Sequence, residues 1–267
     1  MLPDFEMIVH KFPAREDITI IPIADVHLGA RECMEQEFIK FINSIAEKPN
    51  VYVVLVGDLL NNAIKSSVSN IYDEVYRPSE AKRMMAKILE PIKDRVLCSV
   101  TGNHERRSSR EVDDDATADI MCKLDLEHLH RENIAFMKIQ MGAQKNSNGK
   151  RADGDKRPCY TIAVTHGAGG GVLTGAGINR NERFSYAIDN LDCFISAHTH
   201  KAATTQPGKI VIDTHNNQIK VKPFKVITAT SWLNTGGYSL QKMLLPSSHA
   251  LQTITLCGDH KEMIVTM

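Results

Sequence analysis

Apolar positions along this chain fall into two rhythms that alternate. Short, predominantly apolar runs at 18–24, 51–56, 96–100, 160–165 and 193–197 read as strands, the continuous ones as strands covered on both faces. Between them apolar residues recur at helical spacing. Met34, Phe38, Phe41, Ile42 and Ile45 mark a helix over 32–48, stopped by Pro49-Asn50. Met84, Met85, Ile88 and Leu89 mark a second, beginning at Pro78, a residue suited to a first helical turn. Ala118, Ile120, Met121 and Leu124 mark a third, after the acidic stretch 111–115. A further strand is expected at 134–141 and a helix at 179–190, while 61–77 is polar and shows no assignable period. Pro22 inside the first run suggests an edge or irregular position, because proline donates no ladder hydrogen bond. From 209 to 267 short apolar–polar alternations predict antiparallel strands. Strand–helix alternation followed by hairpins predicts an α/β sandwich of two facing sheets flanked by helices. No internal repeat or domain boundary interrupts the pattern, so 1–267 reads as one domain, with a flexible loop at 142–157 where Gly, Asn, Lys and Arg dominate.

Composition narrows the classes. Of 267 residues, 42% are hydrophobic and 24% charged, as in ordinary globular proteins. The 32 basic residues balance 32 acidic ones, so no global field draws the chain to nucleic acid or membrane, and only local patches remain for such contacts. No apolar run reaches the roughly 18 residues of a membrane span. The first residues lack the basic and apolar regions of a signal peptide. The six cysteines are scattered, with no Cys-x-x-Cys pair, and read as free thiols in a reducing cytoplasm.

The chemistry lies at the ends of the predicted strands. Five of them run into Asp25-x-His27, Gly57-Asp58, Gly102-Asn103-His104, His166-Gly167 and His198-x-His200. Open α/β sheets place their sites at such carboxyl ends. On an extended segment residues i and i+2 point to one side, so Asp25 is expected to act with His27, and His198 with His200. Carboxylate, imidazole and amide oxygen without thiolate suit manganese, iron, zinc or similar divalent ions. Asp25, His27, Asp58, Asn103, His166, His198 and His200 are too many for one zinc ion, which usually takes about four ligands. They suit two ions about 3.5–4 Å apart that share a carboxylate.

This ordered set, with Glu105 after His104, resembles the calcineurin-like metallophosphoesterase superfamily over residues 18 to 200. The resemblance implies a four-layer αββα sandwich. It implies that Asp25, His27 and His200 hold one ion, that Asn103, His166 and His198 hold the other, and that Asp58 bridges them. It makes His104 the non-ligand catalytic histidine, protonating the leaving oxygen or stabilising the transition state. The cofactors it implies are two divalent ions, manganese foremost, with iron, zinc, nickel or magnesium as alternatives. More loosely, 166–171 with Ile178-Asn179-Arg180, and 230–238, are similar to a phage- and prophage-borne branch.

Departures from the family pattern bear on the substrate. The chain has Gly57-Asp58-Leu59-Leu60-Asn61-Asn62, without the phosphate-binding arginine of phosphoprotein phosphatases, and Thr101 where those enzymes have another arginine. The expected reaction is therefore hydrolysis of a phosphodiester, DNA or RNA foremost, by a hydroxide that two ions activate. The rivals are a phosphomonoesterase and a scaffold that has lost catalysis. Arg106 and Arg107, with Arg110 nearby, and Arg180 and Arg183 are the candidate substrate contacts, each weighed against ordinary surface charge. The glycines of 167–177 lack a Gly-Lys-Ser/Thr and read as a close backbone approach or a mobile lid. Trp232 and Tyr238 read as packing before base stacking. No membrane partner is expected, and the sequence names no protein partner.

Overall fold

The computed structural model describes residues 3–13, 15–67, 71–142, 157–171 and 173–267, the Tyr238 side chain excepted. The loop expected at 142–157 lies almost wholly outside them. In chain order the elements are β1 (Ile8–Lys11), β2 (Ile18–Ile23), α1 (Glu35–Ala46), β3 (Val51–Leu55), α2 (Pro78–Leu89), β4 (Val96–Val100), α3 (Glu105–Val112), α4 (Ala116–Lys123), β5 (His130–Arg131) and β6 (Ile134–Gln140). Then come β7 (Cys159–Thr165), α5 (Thr174–Ser185), β8 (Cys193–Ser196), β9 (Ala203–Thr205), β10 (Gly208–Asp213), β11 (Gln218–Pro223), β12 (Lys225–Thr228), α6 (Gly237–Gln241), β13 (Thr253–Leu256) and β14 (Met263–Thr266).

Two six-stranded sheets carry the structure, in the orders β14-β13-β2-β3-β4-β5 and β1-β6-β7-β8-β12-β9, with β10 and β11 as a separate hairpin. β2, β3 and β4 run parallel, so their carboxyl ends lie side by side, and β7 and β8 do the same in the other sheet. One core joins the sheets, from Ile20, Val54 and Cys98 to Ile139, Ile162 and Ile195. α1 lays Phe38, Ile42 and Ile45 onto it and α2 lays Met85, Ile88 and Leu89, each side chain stabilising by about 1.5–3 kcal/mol. A smaller cluster, Ile178 of α5 with Phe194, Phe224 and Val226, covers the far side of the second sheet. The expected helix–sheet–sheet–helix sandwich is therefore what forms. Trp232 packs beside Phe38 and Phe41, ring centroids 5.1 and 4.9 Å away, as the packing reading expects. The six cysteines are free.

Several elements depart from the sequence pattern. β2 lies inside its sheet, not at an edge. Ile23 and Asp25 bond toward β3, so Pro22 faces the other side, where the β13 ladder has already ended at Ile20 and Ile254. β12 runs parallel to β8, and α6 interrupts the strands expected across 209–267. α5 begins at Thr174 rather than 179, and α3 follows His104 with no apolar stripe to announce it.

Candidate metal centre

The ends of β3 and β4 meet at two glycines. A Cβ on Gly57, whose φ is +82°, would stand 2.6 Å from the Gly102 nitrogen, and one on Gly102 would stand 2.1 Å from the Asp58 nitrogen. Only glycine permits that approach. The loop after β2 is zipped to the one after β3, with Asp25 N–H donating to Gly57 O at 3.1 Å and His27 N–H to Asp58 O at 3.0 Å. Asp25, His27 and Asp58 all have φ near 49°, and His198 and His200 have 72° and 58°. The i/i+2 pairs thus leave the strands as left-handed turns and not, as expected, as extended segments. Each such residue stores about 1–3 kcal/mol. The turns also separate His198 from His200, which join different clusters.

The first cluster is Asp25, His27 and His200, with His200 Nε2 3.3 Å from Asp25 Oδ1 and 3.2 Å from His27 Nε2. The second gathers Asp58, Asn103, His166 and His198. Asn103 Oδ1 lies 3.0 Å from His166 Nε2 and 2.6 Å from His198 Nδ1, and Asp58 Oδ2 lies 3.3 Å from His166 Nε2. Asp58 Oδ2 is also 3.8 Å from His27 Nε2, so this carboxylate stands between the clusters. Every expected donor is present in one of them. Asp25 Oδ1 is buried and has no hydrogen-bond partner. An anionic oxygen left so, beside imidazole nitrogens, fits a divalent ion with ligand distances of about 2.0–2.2 Å.

Glu105, fully buried, has a role that the sequence left open. Its carboxylate accepts from the backbone N–H groups of Asp58 (3.0 Å), Leu60 (2.8 Å) and Gly102 (3.1 Å), which locks the two glycine turns together. It makes no hydrogen bond to the His104 ring. That ring donates from Nδ1 to Asn61 O at 2.8 Å, while Arg107 Nη2 lies 3.0 Å from its Nε2. Asn62 ties the start of α3 down by donating to His104 O and Ser108 Oγ, both at 3.0 Å.

A family model for calcineurin-like phosphoesterases matches residues 18–202. The chain belongs to that family. Curated proteins give no match to the sequence. Among solved structures the phosphoesterase is similar to a predicted phosphoesterase of Streptococcus pneumoniae (10% identity, 95% of this chain and 100% of that one, TM-score 0.37). It is similar also to the NAD nucleotidase of Haemophilus influenzae (9%, 94% and 49%, 0.44) and a nuclease of Pseudomonas putida (13%, 92% and 87%, 0.33). At these TM-scores the likenesses decide nothing further.

Electrostatics in the phosphoesterase site divide the histidines. Burial works to raise Asp25 and Asp58, but His200 beside the first and His166 beside the second hold both well below the usual carboxylate range. In return, against burial, Asp58 raises His166 to about 10 and Asp25 raises His200. Burial lowers His27 and His198. Burial, His27 and Arg107 lower His104 to about 3, so its imidazole is neutral and its Nε2 accepts from Arg107. A proton at His104 Nε2 and the bond from Arg107 exclude each other, because Arg107 donates to that nitrogen.

The four candidate arginines separate. Arg107 reaches the centre, bonding Asn61 O at 3.0 Å as well as His104. Arg106 turns to Glu132, 2.6 Å from its carbonyl and 3.2 Å from its carboxylate. Arg180 donates to Ala168 O in the glycine loop, and Arg183 is exposed on α5. Arg110, in the last turn of α3, is exposed.

Proposed function

We propose that this phosphoesterase acts on phosphodiesters, DNA or RNA among them, with manganese as the resident ion. One observation carries the reading: Arg107 is the arginine that reaches His104, and no arginine stands at the two positions where phosphoprotein phosphatases carry theirs. A diester is a monoanion and asks less positive charge of its site than a dianionic monoester. Asp25, His27 and His200 would hold one ion, and Asn103, His166 and His198 the other, with Asp58 shared. Divalent ions held there would supply a hydroxide nucleophile at neutral pH and would neutralise phosphoryl oxygens.

The chain's own part is a change of partners. A phosphate attracts the Arg107 guanidinium more strongly than the neutral His104 Nε2 does, because both phosphate and arginine are charged. Arg107 then binds the phosphoryl group and His104 Nε2 is freed. The nearby anion favours uptake of a proton from solvent at Nε2, and Asn61 O keeps the ring in place through Nδ1. His104 so placed protonates the leaving oxygen. The test is turnover with added manganese of bis-p-nitrophenyl phosphate against p-nitrophenyl phosphate, followed by DNA and RNA oligomers. Diester preference and oligomer cleavage are expected. Monoester preference would return the phosphatase reading, and no turnover of any phosphoester the scaffold reading.

A further inference from the structure

A second group of metal-binding side chains stands apart from this centre. The turn between β13 and β14 carries Cys257, His260 and Glu262, whose sulfur, imidazole nitrogen and carboxylate oxygen lie within 4.8 Å of one another. β13 pairs with the start of β2, Leu256 opposite Ile18, whereas Asp25 follows the end of that strand. Six residues of strand at about 3.3 Å each separate the two places.

The turn is built around a buried hydroxyl. Tyr160 Oη lies 2.7, 2.9 and 2.9 Å from the carbonyls of Cys257, His260 and Glu262, and Glu262 N–H donates to it at 3.1 Å. Gly258 N–H donates to Asp17 Oδ1 at 2.9 Å. These bonds fix the backbone of all three donor residues, so little ordering is left for an ion to bring about. The surroundings are anionic. Burial raises the Cys257 thiol, and Asp17, Glu262 and Asp259 add to that. Lys261, the cation within the turn, is drawn off to Asp192 at 2.8 Å. His260 and Glu262 already face each other at 2.7 Å.

We propose that Cys257, His260 and Glu262 form a further metal site for one zinc-like divalent ion at the β13–β14 turn. Thiolate, imidazole and carboxylate form a donor set that zinc accepts, and the fourth tetrahedral position falls to water. The ion displaces the thiol proton, since only thiolate ligates. It closes the turn on the edge strand β14.

The proposed dimetal centre contains no sulfur, so thiolate ligation distinguishes this site from it, and Cys257→Ser distinguishes it from the other five free cysteines. Cobalt titrated into the metal-free phosphoesterase should produce a thiolate-to-cobalt charge-transfer band in the near ultraviolet, which zinc abolishes. Cys257→Ser should lose the band and one equivalent of bound ion while retaining phosphodiester turnover. His260→Ala, at a side chain 65% exposed and therefore safe for folding, should weaken cobalt binding at least tenfold. Absence of the band in the wild type, or its persistence in Cys257→Ser, overturns the proposal. Failure of the dimetal reading would appear differently, as missing sulfur-free equivalents with the band intact.

Discussion

Glu105 shows how much a single buried carboxylate can organise. Burial and Asp58 raise its pKa to about 8, while the N–H groups that it accepts, Leu60's first, work the other way. Glu105→Gln keeps the shape but turns an amide donor toward backbone donors. A loss of about 1–3 kcal/mol in urea unfolding should follow, with lower metal content by elemental analysis. His104 and Arg107 should separate by leaving group. His104→Gln should lose more on an oligonucleotide than on bis-p-nitrophenyl phosphate, whose phenolate leaves without a proton, by up to the 10²–10⁴-fold typical of general acids. Arg107→Gln should lose equally on both. Equal losses for His104→Gln in single-turnover rates would remove the proton-donor role. His166 sets a pH dependence. Its folded pKa of about 10 exceeds the ordinary value of 6.5, so its pairing with Asp58 stabilises the metal-free protein fully below about pH 6.5, and that contribution is lost as pH rises through 10. The stability gap between metal-free wild type and His166→Asn should therefore narrow from pH 6.5 to 10. The candidate donors that the structure gathers were legible in the sequence because each ends a readable apolar run. The tasks of Glu105 and Arg107 were not, since both are set by backbone carbonyls and N–H groups that no residue pattern displays.

Among the elements, α1 and α2 were readable because their apolar stripes face a sheet: of the residues the spacing selects, Phe38, Ile42, Ile45, Met85, Ile88 and Leu89 are buried, while Phe41 and Met84 are half-buried. α3 was not, because its buried residues are Glu105 and Ser108, held by hydrogen bonds in place of apolar contact. The start of α5 was missed for a different reason. Gly175 and Gly177 argue against a helix, yet Gly177 is where α5 rests on the turn between His198 and His200. A Cβ there would meet Thr199 Cγ2 at 2.8 Å. Gly177→Ala should gain up to about 1 kcal/mol of helix propensity while pushing Thr199 and its flanking histidines out of place. The expected variant melts no lower than wild type and binds manganese more weakly. Unchanged affinity by calorimetry would show that the turn absorbs the methyl group.

On the scale of the whole molecule, the two sheets share the centre: β2, β3 and β4 lead to Asp25, His27, Asp58 and Asn103, and β7 and β8 lead to His166, His198 and His200. His166 Nδ1 donates across to Val56 O at 2.7 Å, and His198 N–H to Asp25 Oδ2 at 3.0 Å. Among the described residues no helix is long and apolar enough to cross a membrane. The division of donors between sheets has a consequence for the order of events in synthesis. A growing chain has made every donor of the first sheet once Asn103 has left the ribosome, yet it owns neither complete cluster. The second becomes complete with His198 and the first with His200, two residues later. The growing chain thus offers half-built clusters for most of its synthesis, and both pockets become available almost together. Ions should then enter a sandwich that has already closed. Refolding followed by far-ultraviolet circular dichroism should run at one rate with or without manganese, with activity appearing afterwards at a rate proportional to ion concentration. A manganese-accelerated first phase would mean that the ions help to assemble the sheets.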